Sequence, residues 1–554
     1  MVYKPEFNRF FNYQQISELV NKWAEETPDK CKLHVIGKSH QNRDVYALEI
    51  TNFKVGNPKK KPGFYIEACI HAEEVMGSNV ALYIAWQLLN SKDTYINSLL
   101  NKQVFYILPR VNPDGAEFVL SKGQPWCGNG RFLPGEEQVK DGFYWHDIDN
   151  NGVIAQMRVR DDAGEWKISE KDSRFMVLRE PWEKEGEFYR LFPEGLFRNF
   201  KGEFEFPKPN DGNLNRQFPS SYYPEGRQYG AGNYALEEPE AKAVAEFILA
   251  RPNIGGAMSY HTCAGAILRP FGDKSDDHFL GNDLKMYETL GKMGTEITGY
   301  PLISVYHGFT PDKNSVRGGC LDDWTFEFLG MPSFVTELWN LNKAAGIEQE
   351  GFYLSEVRSS DEEVKVMEYL SQYMDKPFLD WTEFDHPQLG KVEIGGWDRI
   401  WTFRNCPPQL LESIAKKHSE YSIKLAATLP SLEIRNVEVK EAKKGLVLIT
   451  AEVINTGYLP TYLTHQAKFM KKDKSVVVKI LSDSDFELVS TDQKQDVGDL
   501  AGRSERVAPW SQWGSKWNKS IKRVSWLVDA KKGTQFVIHA ENEKAGVATK
   551  DITI

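Results

Sequence analysis

Residues 63–74, with the sequence GFYIEACIHAEE, decide the fold of this 554-residue chain. Their apolar run predicts a buried strand that ends just before His71 and Glu74. The next residues show the 3.6-residue apolar period of a helix packed on a sheet, at Val80, Ala81, Ile84, Leu88 and Leu89. His71 and Glu74 are therefore expected at the carboxyl end of a strand, where open α/β sheets place their ligands. An imidazole and a carboxylate in one such turn can both bind a single Zn²⁺.

Further strands are predicted to end beside polar residues. Apolar residues 103–109 precede the turn at 112–115, residues 254–259 precede His261, and residues 333–339 include Glu337. Helical patterns separate these strands, which indicates right-handed crossovers. The predicted fold class is α/β, with a mostly parallel mixed sheet and helices on both faces.

The polar residues at these strand ends suit metal-assisted hydrolysis. His71, Glu74 and His261 supply two nitrogens and one carboxylate, a set of three protein ligands that leaves a fourth zinc position open. Glu337 lies among apolar neighbours, where a carboxylate is costly unless it is paired or functional. Beside a metal-activated water it would act as general base; the alternative is a buried ion pair with an arginine.

The chain is expected to divide into a catalytic domain over residues 1–375, a connector over 376–430 and an accessory β-sandwich over 431–554. The catalytic domain is expected to carry a long insertion, rich in glycine, proline and aromatic residues, at about 123–211. The sandwich contains four tryptophans that favour core packing over stacking on sugars, namely Trp510, Trp513, Trp517 and Trp526.

The insertion contains a candidate calcium loop. Asp147, Asp149 and Asn151 offer oxygen atoms at alternate positions and are followed by Gly152. The twelfth position would be Arg158 in place of a bidentate glutamate, which excludes an EF-hand. The alternative is a turn rich in Asx residues with no bound ion.

Composition narrows the class of protein. The net charge of −10 argues against nucleic acid or anionic lipid as a partner. The sequence contains no run of about eighteen apolar residues, so no membrane span is expected. The first residues lack the apolar core of a signal peptide, which favours the cytoplasm. Six scattered cysteines show no CxxC spacing and are expected to be free thiols.

The motifs together resemble those of the zinc carboxypeptidase family, of the carboxypeptidase A and B type. The resemblance covers about residues 13–339 and rests on six marks in order, namely His71 to Glu74, Asn112 to Gly115, Asn215-Arg216, His261-Thr262, Asp323-Trp324 and Thr336 to Leu338. It implies an α/β/α fold, one Zn²⁺ bound by His71, Glu74 and His261, and removal of the C-terminal residue from peptides or proteins. Glu337 would then pass a proton from the zinc-activated water to the leaving amine.

The resemblance also implies substrate-binding residues. Asn215 and Arg216 would hold the terminal carboxylate of the substrate, for which a planar guanidinium is suited. Arg131 is the nearest downstream candidate for the arginine that stabilises the oxyanion in the family. The capping tyrosine of the family is expected just before Gly318, where Asn314 and Ser315 stand, so Tyr306 is the nearby candidate.

Two acidic residues bear on substrate choice. Glu73 stands where the family commonly has arginine, and Asp322 occupies a position that lines the specificity pocket in the family. Together they predict a preference for C-terminal Lys or Arg, because a buried carboxylate pairs well with a cation. The alternative is that Asp322 caps the following helix.

Other functions of the same fold remain open from the sequence. Relatives cleave γ-glutamyl bonds of cell-wall peptides or remove glutamate residues attached to protein side chains, although Asp322 disfavours an acidic terminal residue. An inactive homologue acting as a binding module is the non-enzymatic alternative. The three ligands and Glu337 are all present, which disfavours it.

Overall fold

The computed structural model describes residues 2–132, 142–202, 212–310, 317–348, 357–443, 445–489, 492–505 and 519–554. Its helices are α1 (Tyr13–Glu26), α2 (Met76–Asn90), α3 (Thr94–Lys102), α4 (Pro113–Lys122), α5 (Pro239–Leu249), α6 (Asp283–Thr298), α7 (Leu321–Glu327), α8 (Leu341–Ala344), α9 (Ser360–Leu370), α10 (Leu411–Ala426) and α11 (His465–Phe469).

The strands of the amino-terminal half are β1 (Cys31–Lys38), β2 (Asp44–Ile50), β3 (Gly63–Ala68), β4 (Val104–Leu108), β5 (Gly142–Trp145), β6 (Gln156–Arg160), β7 (Trp166–Ile168), β8 (Met176–Leu178), β9 (Tyr189–Pro193), β10 (Gly195–Arg198), β11 (Ile254–Thr262) and β12 (Ala266–Arg269). Those that follow are β13 (Leu302–Ser304), β14 (Ser333–Leu338), β15 (Phe378–His386), β16 (Gly390–Trp397), β17 (Leu432–Lys443), β18 (Leu446–Asn455), β19 (Val476–Leu481), β20 (Glu487–Leu488), β21 (Lys494–Gly498), β22 (Ile521–Asp529), β23 (Gln535–Asn542) and β24 (Gly546–Thr553).

An eight-stranded mixed sheet with the order β1-β2-β4-β3-β11-β14-β12-β13 forms the centre of the molecule. Its middle strands β4, β3, β11 and β14 run parallel to one another, whereas β1 pairs antiparallel with β2, and β2 with β4. Strand β12 is antiparallel to β14 and parallel to the edge strand β13. All residues of β3, β11 and β14 are buried, as is typical of parallel strands covered by helices on both faces. The predicted α/β class and the mixed sheet are confirmed.

Helix α2 is buried almost completely, because it packs on the sheet with one side and on α10 with another. Helix α10 lies in the predicted connector, yet its buried residues belong to the same hydrophobic core as the central sheet. Residues 376–430 therefore contain a helix of the catalytic core as well as strands β15 and β16. This packing was not predictable from the sequence, because the contact joins segments far apart in the chain.

A second sheet, here called the added sheet, has the order β15-β16-β6-β9-β7-β8. It joins four strands of the predicted insertion to the two strands of the predicted connector. The residue pairs Glu393 with Arg158 and Ile394 with Met157 set the register between β16 and β6. Arg158 also forms two contacts of 2.8 Å with the Glu393 carboxylate, through Nε and Nη2. The insertion is therefore folded on a later part of the chain.

The carboxyl-terminal residues form two four-stranded antiparallel sheets, β17-β18-β22-β20 and β21-β19-β23-β24. Inward-facing residues of both sheets share one hydrophobic core, which includes Ile449, Val478 and Ile538. The predicted β-sandwich is confirmed, and Trp526 lies fully buried in its core. Trp510, Trp513 and Trp517 lie outside the described residues.

Within the described ranges, no helix combines the length and apolar character needed to cross a bilayer. The six cysteines are free thiols, as expected.

Candidate metal centre

His71 and Glu74 follow the carboxyl end of β3, in the turn before α2. The chain reverses at Cys69, whose φ of 56° lies in the left-handed region that β-branched and bulky residues avoid. The thiol of Cys69 lies 3.5 Å from the carbonyl oxygen of His71. His261 lies at the end of the adjacent strand β11 and is 2% exposed. Two neighbouring parallel strands thus present these side chains at one edge of the sheet.

Three side chains converge at this edge. Nδ1 of His71 lies 3.0 Å from Oε1 of Glu74, and Nδ1 of His261 lies 3.0 Å from Oε2 of the same carboxylate. The two Nδ1 atoms are 3.1 Å apart. The residues therefore form a near-equilateral set of two nitrogens and one carboxylate, as the sequence predicts.

This set fits a Zn²⁺ ion. Two imidazole nitrogens that face each other at 3.1 Å have room for only one proton between them. A metal cation bound between the nitrogens would accept both lone pairs. Oε2 of Glu74 is buried, and the nitrogen that faces it at 3.0 Å is the same Nδ1 of His261. Histidine nitrogen and carboxylate oxygen are ligands that Zn²⁺ binds at about 2.0 to 2.2 Å, in sets of three at catalytic sites.

The charges of the three groups are strongly linked. Burial lowers the pKa of His71, although the Glu74 carboxylate opposes it. Burial acts in the same sense on His261, but there the Glu74 carboxylate dominates and raises the pKa to about 9. Glu74 has a lowered pKa, because the two imidazoles outweigh the cost of its burial. The carboxylate is thus held in its charged form between the two rings.

Glu337 lies beside the three ligand candidates. Strand β14 pairs parallel with β11, and Glu337 is the register partner of His261. Its side chain is buried, and burial together with the Glu74 carboxylate raises its pKa to about 7, against the opposing charges of His261, Arg404 and Arg317. A carboxyl group with a pKa near neutrality can both accept and return a proton.

Glu67, which was not singled out from the sequence, lies on β3, the strand that leads to His71 and Glu74. It is fully buried on β3, and Ser259 on β11 donates a 2.6 Å hydrogen bond to its Oε1 atom. Burial raises its pKa to about 7, and the His261 charge opposes the shift. The signal that could have revealed it is an acidic residue inside the apolar run of β3.

Asn215 and Arg216 lie against the start of α7. Oδ1 of Asn215 accepts a 2.9 Å hydrogen bond from the backbone N–H of Leu321, and Nη1 of Arg216 donates to the carbonyl of Asn215. Asp322 in the first turn of α7 is buried, which raises its pKa, while the charges of His261 and Arg216 oppose the rise. The N-cap of α7 is Cys320, so Asp322 does not cap this helix.

Arg131 is engaged by two other acidic residues. Its Nη1 atom lies 3.1 Å from Glu237 and 2.9 Å from Glu238. Glu238 in turn contacts His40 and Asn129. These carboxylates neutralise the Arg131 charge, which argues against the predicted role of Arg131 in stabilising an oxyanion.

Arg404 provides the arginine of this region that the sequence analysis missed. It ends a short helical turn at Ile400–Arg404, and its Nε atom lies 2.8 Å from Oε1 of Glu73. Glu73 is the neighbour of the ligand candidate Glu74, and both the Glu73 and Glu74 carboxylates stabilise the Arg404 cation. Arg404 therefore compensates the charge of Glu73, which was expected to leave the cleft more acidic. Only the tertiary fold joins these residues.

The Asn-Pro-Asp-Gly motif and Tyr306 were also predicted to belong to the site. Asn112 caps α4 by accepting a 3.0 Å hydrogen bond from the N–H of Gly115, so the Asn-Pro-Asp-Gly motif shapes the loop after β4. Tyr306 packs edge-on against His307, and its capping role stays a prediction. Asn314 and Ser315 lie outside the described residues.

Calcium is not supported by the candidate loop. Asp147 accepts hydrogen bonds from the backbone N–H groups of Asn151 and Gly152, and Asp149 accepts one from Asn151. Oδ1 of Asn151 accepts from the N–H of Val153. The oxygens proposed as ligands thus hold a turn together, and the Asx-rich alternative describes the loop.

Comparison with known proteins agrees with this geometry. The family model described as zinc carboxypeptidase matches residues 16–151 and 195–368, which is more than half of the chain. Residues 431–553 match a domain of unknown function, DUF8731.

Curated relatives match in a limited region. Zinc carboxypeptidase A 1 of Anopheles gambiae is 30% identical over 121 residues, which cover 22% of this chain and 27% of that protein. The inactive metallocarboxypeptidase ECM14 of Ajellomyces capsulatus (strain H143) is 31% identical over 152 residues, 25% of each protein. The chain therefore matches about a quarter of the length of these relatives.

Among solved structures, that of thrombin activatable fibrinolysis inhibitor (TAFI) is similar with a TM-score of 0.46 and 16% identity, over 76% of each chain. The family-model match is the decisive finding, because it spans the strand ends that carry His71, Glu74, His261 and Glu337. The chain belongs to the zinc carboxypeptidase family.

Proposed function

We propose that this protein is a zinc-dependent carboxypeptidase that hydrolyses the C-terminal peptide bond of peptides or proteins. The observation that supports this most is the convergence of His71, Glu74 and His261 within about 3 Å of one another, with Glu337 as the register partner of His261. When bound by these residues, Zn²⁺ supplies Lewis-acid chemistry, which lowers the pKa of a water molecule and polarises a carbonyl group.

The side chains of the site have separate roles in this proposal. Glu337 accepts a proton from the attacking water and donates it to the leaving amine. Arg216 and Asn215 bind the terminal carboxylate of the substrate, which a guanidinium recognises with two parallel hydrogen bonds. Arg404 replaces Arg131 as the candidate that stabilises negative charge on the scissile carbonyl oxygen, because it is partly buried beside Glu73 and within electrostatic reach of Glu74 and Glu337.

Replacing Glu337 tests the proposal. We expect the zinc-loaded wild type to release a free amino acid from peptides, and we expect Glu337→Gln to lower kcat about 10³-fold while retaining zinc, because the proton acceptor is lost but the ligands stay. Product release is measured by mass spectrometry and metal content by inductively coupled plasma mass spectrometry.

Glu49→Gln is the matched control for that experiment. Glu49 is also a buried glutamate beside a histidine, since Nε2 of His34 lies 2.7 Å from its carboxylate. We expect this variant to retain the wild-type kcat. Equal activities of Glu337→Gln and the wild type would contradict the role of Glu337, and a wild type with bound zinc but no peptidase activity would contradict the proposed function.

A preference for C-terminal Lys or Arg is part of the proposal and depends on Asp322 alone. Arg404 compensates Glu73, so only the buried Asp322 carboxylate, which lies near His261 and Arg216, still favours a cationic side chain. Hydrolysis of matched peptides ending in Arg, Leu and Glu measures it. We expect the Arg peptide to be cleaved fastest and Asp322→Asn to lower that advantage, whereas fastest cleavage after Leu would exclude a basic pocket.

Two other functions are separated by the same assay. A γ-glutamyl or deglutamylating hydrolase would cleave isopeptide-linked glutamate and leave the Arg and Leu peptides intact. An inactive homologue would bind peptides and release nothing. The second alternative matters because some relatives are named inactive metallocarboxypeptidases.

A further inference from the structure

A cavity of about 480 Å³ lies between the added sheet and the catalytic core. We call it the outer cavity, and define it by the aromatic side chains that form its walls, Trp166, Phe192, Trp381 and Trp397. Its volume lies within the range of about 300 to 1,000 Å³ that is typical of sites for organic ligands. The cavity is therefore large enough to bind side chains of a peptide.

Most residues that line the outer cavity come from outside the segments matched by the family model. They lie within residues 152–194 of the insertion or after residue 368. The two parts are held together by the β16–β6 pairing and by the Arg158–Glu393 ion pair. The outer cavity is thus a feature that this chain adds to the family-matched core.

One wall of the outer cavity is linked to the candidate metal centre by an ion pair. Arg404 lines the cavity, and its guanidinium pairs with Glu73, the residue next to Glu74. On the other side, Leu341 lines the cavity shortly after Glu337 in the chain. Nε1 of Trp339 donates a 2.8 Å hydrogen bond to the carbonyl of Thr402, which fixes these two lining segments against each other.

The chemistry of the walls favours apolar and aromatic ligands. The charged pair Arg358 and Glu363 is internally compensated at 3.4 Å, and Trp397 also donates a hydrogen bond to Glu363. Arg404 is compensated by Glu73, and Arg399, the third arginine of the lining, stacks over the ring of Phe403 at 5.3 Å. What the walls offer is broad ring surface, on which aromatic side chains stack in offset or edge-to-face geometry.

We propose that the outer cavity is a substrate subsite that binds aromatic side chains on the acyl side of the scissile bond. This rests on the proposed carboxypeptidase function. Asn215 and Arg216, which would hold the terminal residue, lie against α7, whereas the cavity joins the centre through Glu73 and Arg404. The residue removed and the residues retained by the substrate therefore occupy different surroundings.

Binding to the zinc-loaded Glu337→Gln variant tests this without turnover. The probes are acetyl-Phe-Phe-Arg and acetyl-Ala-Ala-Arg, with a second pair that ends in Leu, and their Kd values are measured by isothermal titration calorimetry. We expect the Phe-Phe peptide of at least one pair to bind at least about tenfold more tightly, because burying each phenyl ring removes apolar surface from water.

A substitution at the edge of the outer cavity sharpens the test. Val357 lines the cavity and is 42% exposed, so Val357→Trp narrows the space without filling the core. Val439→Trp is the matched control, because Val439 is 39% exposed on β17 of the sandwich. We expect Val357→Trp to remove the preference for Phe-Phe, because the indole occupies the space in which the phenyl rings of the probe would be buried. Binding of the Ala-Ala peptide, which buries no ring there, should stay within about twofold.

Equal Kd values for the two peptides of each pair, or no binding of either, would overturn the subsite, and so would an unchanged preference in Val357→Trp. Release of the terminal residue by the wild type is scored separately. Cleavage without an aromatic preference would leave the peptidase proposal standing and remove only the subsite.

Discussion

The candidate metal centre and the added sheet are built in different ways, although the Arg404–Glu73 ion pair links the segment after the added sheet to the residues beside the metal centre. The metal centre is carried by β3, β11 and β14, which are adjacent parallel strands whose ends lie at one edge of the central sheet. The added sheet is assembled from two segments more than 200 residues apart, which pair through Arg158 and Glu393. Arg404, which follows the added sheet in the chain, reaches Glu73 beside the metal ligands.

The difference separates two kinds of constraint. In the metal centre, the identity of each side chain is fixed by the chemistry that it performs, and the strands only have to present it. The charge balance depends instead on tertiary contacts, because Arg404, which follows the added sheet in the chain, pairs with the buried carboxylate of Glu73. The candidate metal ligands and the arginine that balances the charge beside them therefore come from different parts of the chain. Substitutions in each part can be made separately and their effects compared.

The largest effect is expected at the metal ligands. His261→Ala removes one of three ligands, and we expect zinc affinity to fall by more than about a hundredfold, since even the loss of residues that only orient a ligand costs 10- to 100-fold. Metal titration against a chelator of known affinity measures this. His34→Ala, which removes a histidine that pairs with Glu49, is the control and should bind zinc like the wild type.

The next largest effect is expected for Arg404, and it distinguishes the catalytic contribution of Arg404 from that of Arg131. Arg404→Gln should lower kcat/KM about a hundredfold with the zinc content unchanged, because a partly buried cation placed near the scissile carbonyl would stabilise the transition state. Arg131→Gln should stay within about twofold, because its partly exposed guanidinium is held by Glu237 and Glu238. The reverse order would restore the role predicted for Arg131 from the sequence.

Folding defects in Arg404→Gln are controlled by a second variant. Glu73→Gln with Arg404→Gln removes both buried charges, so its Tm should lie above that of the single variant. Its kcat/KM should remain low, which would separate the catalytic contribution of Arg404 from its contribution to folding. Recovery of activity together with Tm would show that Arg404 serves stability alone.

A smaller effect is expected where the added sheet joins its two segments. Arg158→Met leaves Glu393 without its cation and should lower the free energy of unfolding by about 2 kcal/mol, since a partly buried charged group loses its hydrogen bonds. Urea unfolding followed by tryptophan fluorescence measures this. Arg158→Met with Glu393→Met should recover most of the loss, and a single variant as stable as the wild type would mean that the pair does not hold the sheet.

The smallest effect is expected at Glu541, which bridges the sandwich and the catalytic core through Lys60. Hydrogen bonds from Lys479 and from Lys60 outweigh partial burial and lower the pKa of Glu541 to about 2. A lowered carboxylate pKa stabilises the fold at neutral pH, and this contribution disappears as the pH falls from about 4.5 towards 2.

Glu541→Gln should therefore cost less than about 1 kcal/mol at neutral pH, as expected for a partly exposed ion pair. The difference in unfolding free energy between wild type and variant should shrink steadily between about pH 5 and pH 3. A difference that is constant over this range would show that Glu541 is not held by its lysines.

The sequence predicted the centre of the molecule well, and the reason is local. The apolar run of β3 and the helical period of α2 place His71 and Glu74 in a turn, whatever the rest of the chain does. His261 and Glu337 likewise end apolar strands. The α/β class, the β-sandwich and the approach of the three ligand candidates follow from such patterns.

Features that depend on distant pairing were not predictable in the same way. The segment at 376–430 was expected to be a connector. Its part in the added sheet was not foreseen, because β16 pairs with β6, which lies more than 200 residues earlier in the chain. Arg404 could not be associated with Glu73 for the same reason. Arg131 was chosen for its distance along the sequence, and the carboxylates that engage it lie more than 100 residues later.

The most direct test of the metal centre is a crystal structure of the zinc-loaded protein with anomalous data collected at the zinc absorption edge. A single anomalous peak is expected within about 2.0 to 2.2 Å of Nδ1 of His71, Nδ1 of His261 and the Glu74 carboxylate. A peak bound instead by His40, Glu238 and Glu240, the other histidine-containing cluster in the described part of the chain, or no peak at all, would contradict the account.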